Sequence, residues 1–408
     1  MKVINILVIV ILFFSCKEEK TIDISMKDDV KILASDSLRG RRTGTSYEQM
    51  AAEYLAKRFK DLELDPKGTN GYFQEFSFAD KSDPHREIKF VNKSEDGTIT
   101  GTNVIGFMDN NAETTIVIGA HYDHLGMGGE GSLYRGETKA IHNGADDNAS
   151  GVAVMLNLVK ELQNKNTHNN YLFISFSGEE LGLLGSNYFV KNPTINLENI
   201  NYMINMDMVG RLNEEKVLAV FGVGTSPIFS QTLFSNKTDF SITEKESGVG
   251  PSDHTSFYLM DLPVLHFFTG QHEDYHKPGD DIEKLNFEGM EDITQYILAV
   301  ITDLDDGPKL KFRKTKNESD EVPKFKVTLG VVPDYLFSGE GMRIDGVSED
   351  RPAQKAGMEK GDVVVKMGEH EIIDMMSYMK ALSKFEKGQN TIVLIDRNGE
   401  ILEFDVEF

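Results

Sequence analysis

The chain has 408 residues, more than one ordinary core accommodates, and its 39% hydrophobic and 27% charged residues exclude a disordered protein. A formal net charge of −23 repels phosphate backbones and argues against nucleic acid as a partner. The lone cysteine, Cys16, rules out an intrachain disulfide.

In chain order, MKVINILVIVILFFS carries one Lys and then an apolar run that ends at Cys16. The run is too short for a bilayer-spanning helix and has the charged start, apolar middle and cleavage region of a secretory signal. LFFSC resembles a bacterial lipoprotein signal, with Phe13 and Phe14 departing from the aliphatic and small residues usual there. That resemblance implies removal of residues 1–15, a lipid on Cys16, a solvated tether over 16–25 and a membrane anchor at the bacterial cell envelope.

A Gly- and Arg-rich loop, LRGRRTGTSYEQ, precedes MAAEYLAKRFKDL (50–62), whose apolar spacing predicts a helix. TTIVIGA (114–120) predicts a buried strand, followed by a polar stretch and a helix from about Asn148 to Leu162. YLFISFS (171–177) predicts a second strand, GEELGLLGSNYFVK a helix, INYMINMD (200–207) a third strand, VLAVFG (217–222) a fourth and LPVLHFF (262–268) a fifth. FEGMEDITQYILAVITDL (287–304) predicts the last helix of this region. Strands alternating with helices imply an α/β domain over 26–304, a mainly parallel, mixed sheet with helices on both faces. Residues 305–323 are charged, poor in large apolar residues and bounded by prolines, and read as a linker. Residues 324–408 suffice for one small β-rich domain.

In GADDNASGVAVMLNLV, Asp146 and Asp147 stand just before a helical run. Alone they read as caps, because carboxylates accept first-turn N–H groups and suit the helix dipole. Their company points elsewhere. His121 and Asp123 follow the strand at 114–120, Glu179 and Glu180 the strand at 171–177, Asp207 closes the strand at 200–207, and His276 lies in HEDYHKPGDD after the fifth strand. The carboxyl ends of parallel strands line one crevice, so these groups converge there. Imidazole and carboxylate together suit zinc, and equally cobalt or manganese. Two such ions need a bridging carboxylate, a place Asp147 can take with Asp146 in support.

HYD, GADDNASG, SGEELGLLGS, MDMVG, SDHTSF and YHKPGDD, in this order and spacing, resemble the M28 family of zinc aminopeptidases over roughly Ala34 to Leu304. The resemblance implies two zinc ions, Asp147 bridging them, Glu180 and His276 completing one site and His121 and Asp207 the other. It makes Glu179 the general base and Tyr275 a donor to the tetrahedral intermediate, and it implies a cis peptide at Asp147–Asn148. The chemistry agrees: metal lowers the pKa of bound water towards 7, a free carboxylate takes the proton, and a phenol can stabilise an oxyanion. Asp123 is placed to hold the second ring nitrogen of His121. The activity implied is removal of N-terminal residues from peptides with a free N-terminus. A glutaminyl cyclase of the same fold, needing one zinc, and a peptide-binding lipoprotein with a retired site are the alternatives; the full ligand set and Glu179 argue for the peptidase.

Asp253 and His254, in SDHTSF, read as support beside the pocket. His124 and His142 flank the site, able to touch substrate or only solvent; His266 reads as a core histidine, His272 as surface loop, and Phe257, Tyr258, Phe267 and Phe268 as core. Finally, VTLGVVPDY (327–335) and GMRIDGVSEDRPAQKAGMEKGDVVVKMGEHEI (341–372) resemble a bacterial PDZ domain. The resemblance places Leu329, Gly330, Val331 and Val332 in a carboxylate-binding loop, where the C-terminus of a peptide or protein would add as a strand. The alternative is a domain that only packs on its neighbour.

Overall fold

The structure is a computed structural model that describes residues 25–79, 90–91, 97–129, 131–163, 165, 167–237, 239–315, 326–334, 337, 339–348 and 351–408. The lipid-signal reading at Cys16 and residues 316–323 of the expected linker lie outside the described residues.

The first domain opens with α1 (Met26–Leu33) and α2 (Ser46–Asp61), then β1 (Asp65–Pro66), β2 (Phe73–Ala79), β3 (Phe90–Val91), β4 (Thr98–Met108) and β5 (Thr114–His121). It continues through α3 (Gly151–Leu162), β6 (Asn169–Phe176), α4 (Leu184–Lys191), β7 (Ile200–Met206), β8 (Val217–Phe221), α5 (Phe229–Asn236), β9 (Ser241–Lys245), α6 (His254–Tyr258), β10 (Val264–Phe268) and α7 (Phe287–Asp305). The strands lie in the order β3-β2-β4-β6-β5-β7-β10-β8-β9, with β1 on β4.

The strands β6, β5, β7 and β10 run parallel, which is the predicted core of the sheet. Outside them β4 joins β6, and β8 joins β10, antiparallel. The reason for the division is visible in the side chains. NNYLFISF of β6 and INYMINM of β7 are buried at every position, as strands covered on both faces must be. FQEFSFA of β2 alternates, with Gln74, Phe76 and Phe78 buried and Glu75 exposed, and suits a half-covered flank. Helix α7 buries Met290, Ile293, Ile297, Val300, Ile301 and Leu304 at the spacing of one helical face, and Asn286 caps it by accepting from the Gly289 amide. It packs on α3 and α5. Each such side chain contributes about 1.5–3 kcal/mol of burial.

Two predicted helices start later than expected. Around the acid pair the backbone is non-helical at Asp147 (φ −105°, ψ 90°) and Asn148 (φ −136°, ψ 46°), joined by a cis peptide, and α3 begins at Gly151. Neither acid caps a helix. In GEELGLLG the left-handed angles of Gly178, Gly182 and Leu183 turn the chain, so α4 begins at Leu184.

After α7, residues 310–315 do not form a free tether. The Leu310 amide donates to Asn201 Oδ1 (2.8 Å), the Arg313 amide to the Thr225 carbonyl (2.8 Å) and Arg313 Nε to the Gly224 carbonyl (2.7 Å). Phe312 packs on the core beneath α6 and β10. Beyond, β11 (Val331–Pro333), β12 (Met342–Val347), α8 (Pro352–Ala356), β13 (Val363–Met367), β14 (His370–Glu371), α9 (Met375–Leu382), β15 (Asn390–Arg397) and β16 (Glu400–Glu407) form a second sheet, ordered β11-β12-β13-β15-β16 with β14 on β13. It has its own core, including Leu329, Ile344, Val364, Met367, Val393 and Ile395.

Candidate metal centre

The carboxyl ends of β5, β6 and β7, with the loop after β10, bring the sequence-predicted donors together. His121 Nε2 lies 3.4 Å from Asp147 Oδ1 and 3.2 Å from Asp207 Oδ1. His276 Nε2 lies 3.2 Å from Asp147 Oδ2 and 3.2 Å from Glu180 Oε2. Asp147 thus turns one oxygen to each histidine. His121, Asp147 and Asp207 offer one set of three metal donors within 4.8 Å of one another, and His124, Asp147 and Glu180 a second. His124 is the surprise: its Nδ1 sits 2.7 Å from Glu180 Oε1.

Asp147, Glu180, Asp207 and His276 line a pocket of about 130 Å³ together with Glu179, Met208, Phe221, Pro251, His266, Phe268, Gln271 and Tyr275. Four carboxylates meet there and no Lys or Arg lines it, among the described residues. Such a concentration of buried negative charge with two imidazoles is a donor set that fits divalent cations. The two adjacent glutamates differ in environment. Glu180 is penalised by burial and by Asp147, yet His276 and His124 hold its pKa down to about 2. For Glu179, burial raises the pKa well above the ordinary carboxylate value, against His121 at 4.0 Å and with the nearby charges of Asp207, Glu180 and Asp253 adding to it. A carboxylate that stays ionised between histidines suits a ligand, and one poised to take a proton suits a base.

The support is built from distant parts of the chain. Asp123 accepts from the Glu179 amide (3.1 Å) and from Thr43 Oγ1 (2.8 Å), and its carbonyl takes the Nδ1 proton of His121 (3.2 Å), with the carboxylate 3.7 Å away. Asp280, the first of the two acids in YHKPGDD, accepts from the amides of Asp146 (3.0 Å) and Asp147 (3.0 Å). Asp146 turns away from the pocket and accepts from the Gly210 amide (2.6 Å) and Ser150 Oγ (3.0 Å), tying this turn to the segment after β7. Asn148 does likewise, donating to the Met206 carbonyl and accepting from the Met208 amide. Arg41, fully buried, donates to the carbonyls of Leu33, Tyr122, Asn143 and Gly144, so three chain segments hang on one guanidinium; burial lowers its pKa to about 10.

The remaining predicted residues fall as follows. Tyr275 lines the pocket, its ring 3.8 Å from that of His276, and burial keeps its phenol protonated. Asp253 and His254 are fully buried; His254 stacks on His266 at 4.4 Å, and His266 Nδ1 meets Asn205 Nδ2 (3.1 Å), yet His266 also lines the pocket. His272 is not a surface residue: its Nε2 lies 3.2 Å from Asp146 Oδ2 in a largely buried position, because the loop folds back over the acid pair. Phe257, Tyr258 and Phe267 are core, whereas Phe268 reaches the pocket. Arg41, Thr43, Glu48 and Asp280 were not singled out by the sequence; RGRRTGTSYE held the signal, as charged residues between glycines ahead of a helix. In the second domain, Leu329 is buried and its carbonyl accepts from the Ala353 amide (2.9 Å). Gly330 (φ +80°) donates its amide to Thr328 Oγ1 (3.0 Å), with Arg351 packed where a Cβ would stand. Val331 and Val332 lie in β11, an outermost strand paired only with β12 among the described residues.

Residues 103–301 match the model of Peptidase family M28, and residues 310–408 that of the PDZ domain. A probable leucine aminopeptidase of Arthroderma otae is 28% identical over 223 residues, which is 51% of this chain and 58% of that protein. Aminopeptidase YwaD of Bacillus subtilis is 30% identical over 171 residues, 39% of this chain and 37% of its own. The chain thus spans less than two thirds of the length of either relative. Among solved structures, the zinc aminopeptidase BSAP of Bacillus subtilis superposes with a TM-score of 0.54 at 17% identity, covering 72% of this chain and 95% of that one. A glutaminyl cyclase of Bacteroides thetaiotaomicron, bound to N-acetylhistamine, gives 0.54 at 19% identity, covering 68% and 96%. These last two likenesses speak to the fold. The sequence matches identify residues 103–301 as a domain of peptidase family M28, homologous to aminopeptidases, and residues 310–408 as a PDZ domain.

Proposed function

We propose that the chain is a two-zinc aminopeptidase that removes N-terminal residues from peptides. One observation carries this reading: Asp147 directs Oδ1 to His121 and Oδ2 to His276, the arrangement of a carboxylate shared by two cation positions. His121 and Asp207 would hold one zinc and Glu180 and His276 the other. Zinc, when bound, supplies Lewis-acid polarisation of the scissile carbonyl and acidifies water. The chain's residues do the rest. Glu179, pinned through its amide by Asp123, takes the proton of the attacking water and delivers it to the leaving amine. Tyr275 keeps its phenolic proton and donates it as a hydrogen bond to the oxyanion. The pocket's acids suit the free α-amine of a peptide, and Met208, Phe221 and Phe268 form an apolar wall for its first side chain.

The test uses the chain lacking residues 1–16, a panel of aminoacyl-nitroanilides and the matching N-acetylated peptides, each with and without chelator. Chelator-sensitive release from free-amine substrates alone, two zinc ions per chain, and a fall of roughly 10²–10⁴-fold in kcat for Glu179→Gln with zinc retained are expected. Cleavage of the acetylated peptides would instead establish an endopeptidase or carboxypeptidase. One zinc with cyclisation of N-terminal glutamine would establish a cyclase.

A further inference from the structure

The two cation positions are not supported alike. The His121 side rests on Asp123, two residues along the same strand end. The His276 side rests on a long excursion between β5 and α3, and its support can be followed bond by bond from a histidine outside the predicted ligand set. His142 Nδ1 lies 3.0 Å from the Ala140 carbonyl, an atom that only accepts, so Nδ1 carries the proton. Burial lowers the pKa of His142, which keeps the ring neutral and leaves Nε2 an acceptor. Ser132 Oγ, 2.7 Å from that Nε2, must therefore donate to it, and in turn accepts from the Tyr134 amide (3.1 Å). This closes the turn Gly131–Tyr134. The turn then grips His276 twice: the Gly131 carbonyl takes the Nδ1 proton (2.8 Å), and the Leu133 amide donates to the His276 carbonyl (3.0 Å). With Nδ1 so engaged, Nε2 is the ring nitrogen that His276 turns to Asp147 and Glu180.

Two features show that the buttress is built and not incidental. His276 has φ +54°, a left-handed conformation that a side chain other than glycine adopts only when its surroundings hold it. His142 is 1% exposed and occupies the space a Cβ on Gly128 would need, at 2.7 Å from its Cε1.

We propose that His142 is a positioning residue for the second cation position, acting through Ser132 and the Gly131–Tyr134 turn to fix the tautomer and orientation of His276. The proposal rests on the two-metal reading above. Its consequence is a selective one: loss of His142 loosens the position held by Glu180 and His276 and leaves that of His121 and Asp207 intact, turning a two-ion protein into a one-ion protein.

The experiment is a zinc titration of the chelator-stripped chain lacking residues 1–16, read by competition with a chromophoric chelator, for wild type, His142→Leu, His142→Gln and Ser132→Ala. Support of this kind for a metal-bound histidine is worth about 10–100-fold in affinity. Wild type binds two ions; His142→Leu keeps one at wild-type affinity and binds the other about 10–100-fold more weakly; Ser132→Ala repeats this with a smaller perturbation of the fold; and His142→Gln, whose amide oxygen can accept from Ser132, recovers most of the loss. Two ions bound by folded His142→Leu at wild-type affinity would overturn the proposal, as would equal weakening of both. A wild type that binds one ion would overturn the two-metal reading itself, before any variant is compared.

Discussion

On the proposed two-zinc reading, Glu180 shows how a single carboxylate is prepared for a ligand's work. Its Oε1 is occupied by His124 Nδ1 at 2.7 Å, which leaves Oε2 to face His276 Nε2 at 3.2 Å. Nδ1 donates to the carboxylate, while Nε2 is buried with no hydrogen-bond partner among the described residues. An acid oriented by a neighbour's hydrogen bond binds metal with less loss of freedom. For His124→Leu, which keeps the packing and deletes the donor, zinc affinity should fall about 10–100-fold, with kcat restored by excess zinc. Atomic absorption after gel filtration, beside activity against added zinc, reads both. Restoration separates this variant from Glu179→Gln, whose activity zinc does not recover. The partnership of His124 with Glu180 was not legible in the sequence: each follows a different strand, and nothing in HYDHLG says which way the second histidine turns. His121, Glu180, Asp207 and His276 could be brought together because parallel strands must end at one edge, a constraint that acts on backbone placement and so shows in spacing, whereas Asp147, ahead of α3, took its place from the helix start and the motif resemblance.

At the scale of elements, α2 fastens the sheet behind the site. Thr45 caps the helix by accepting from the Glu48 amide, and the Glu48 carboxylate reaches back to the Gly44 amide (2.6 Å) and across to the Thr102 amide (3.0 Å) and Ser177 Oγ (2.6 Å). One side chain thereby joins the helix to β4 and to the turn that carries Glu179. Burial outweighs these hydrogen bonds and raises its pKa to about 7 from 4.5. The folded state then holds a proton that the unfolded chain releases above its own pKa. The stabilisation is complete below about pH 4.5 and is lost as pH rises towards 7, amounting to about 3 kcal/mol at about 1.4 kcal/mol per pH unit. Urea unfolding of wild type and Glu48→Gln across this window should show the difference between them shrinking by about that amount as pH rises; a difference constant with pH would refute the titration. The same elements show where pattern reading stops. The helix within MAAEYLAKRFKDL and the central strands were legible because their apolar runs have one period. TITGTNVIGFM of β4 was not read as a strand: threonines, an asparagine and two glycines interrupt it. Yet Gly106 is required there, since a Cβ would stand 2.8 Å from Leu64 and 2.9 Å from Phe59. The composition of 305–323 suggested a linker because backbone carbonyls and Asn201, which anchor 310–315, leave no apolar trace in that segment.

For the molecule as a whole, the separation of cores governs how it unfolds. Among the described residues, the first domain's clusters and that of the second share no residue, and the second sheet pairs with no strand of the first. Domains that share no core unfold as separate cooperative units. The full chain should therefore show two calorimetric transitions, and a chain ending at Thr315 should keep one of them at its original midpoint. A chain ending at Gly307 should not, because it loses the amide of Leu310, the two donors of Arg313, the amide that Thr315 gives to Tyr258 Oη (3.1 Å) and the packing of Phe312. Each solvent-touched hydrogen bond is worth about 1 kcal/mol, and the half-buried ring about as much, so a loss of roughly 3–5 kcal/mol is expected after allowing for the ordering entropy of the strap. Comparison of the two truncations by guanidinium unfolding measures it. Equal stability would show that the strap, despite its contacts, contributes nothing net; a single merged transition in the full chain would show that the PDZ domain and the peptidase domain stand or fall together.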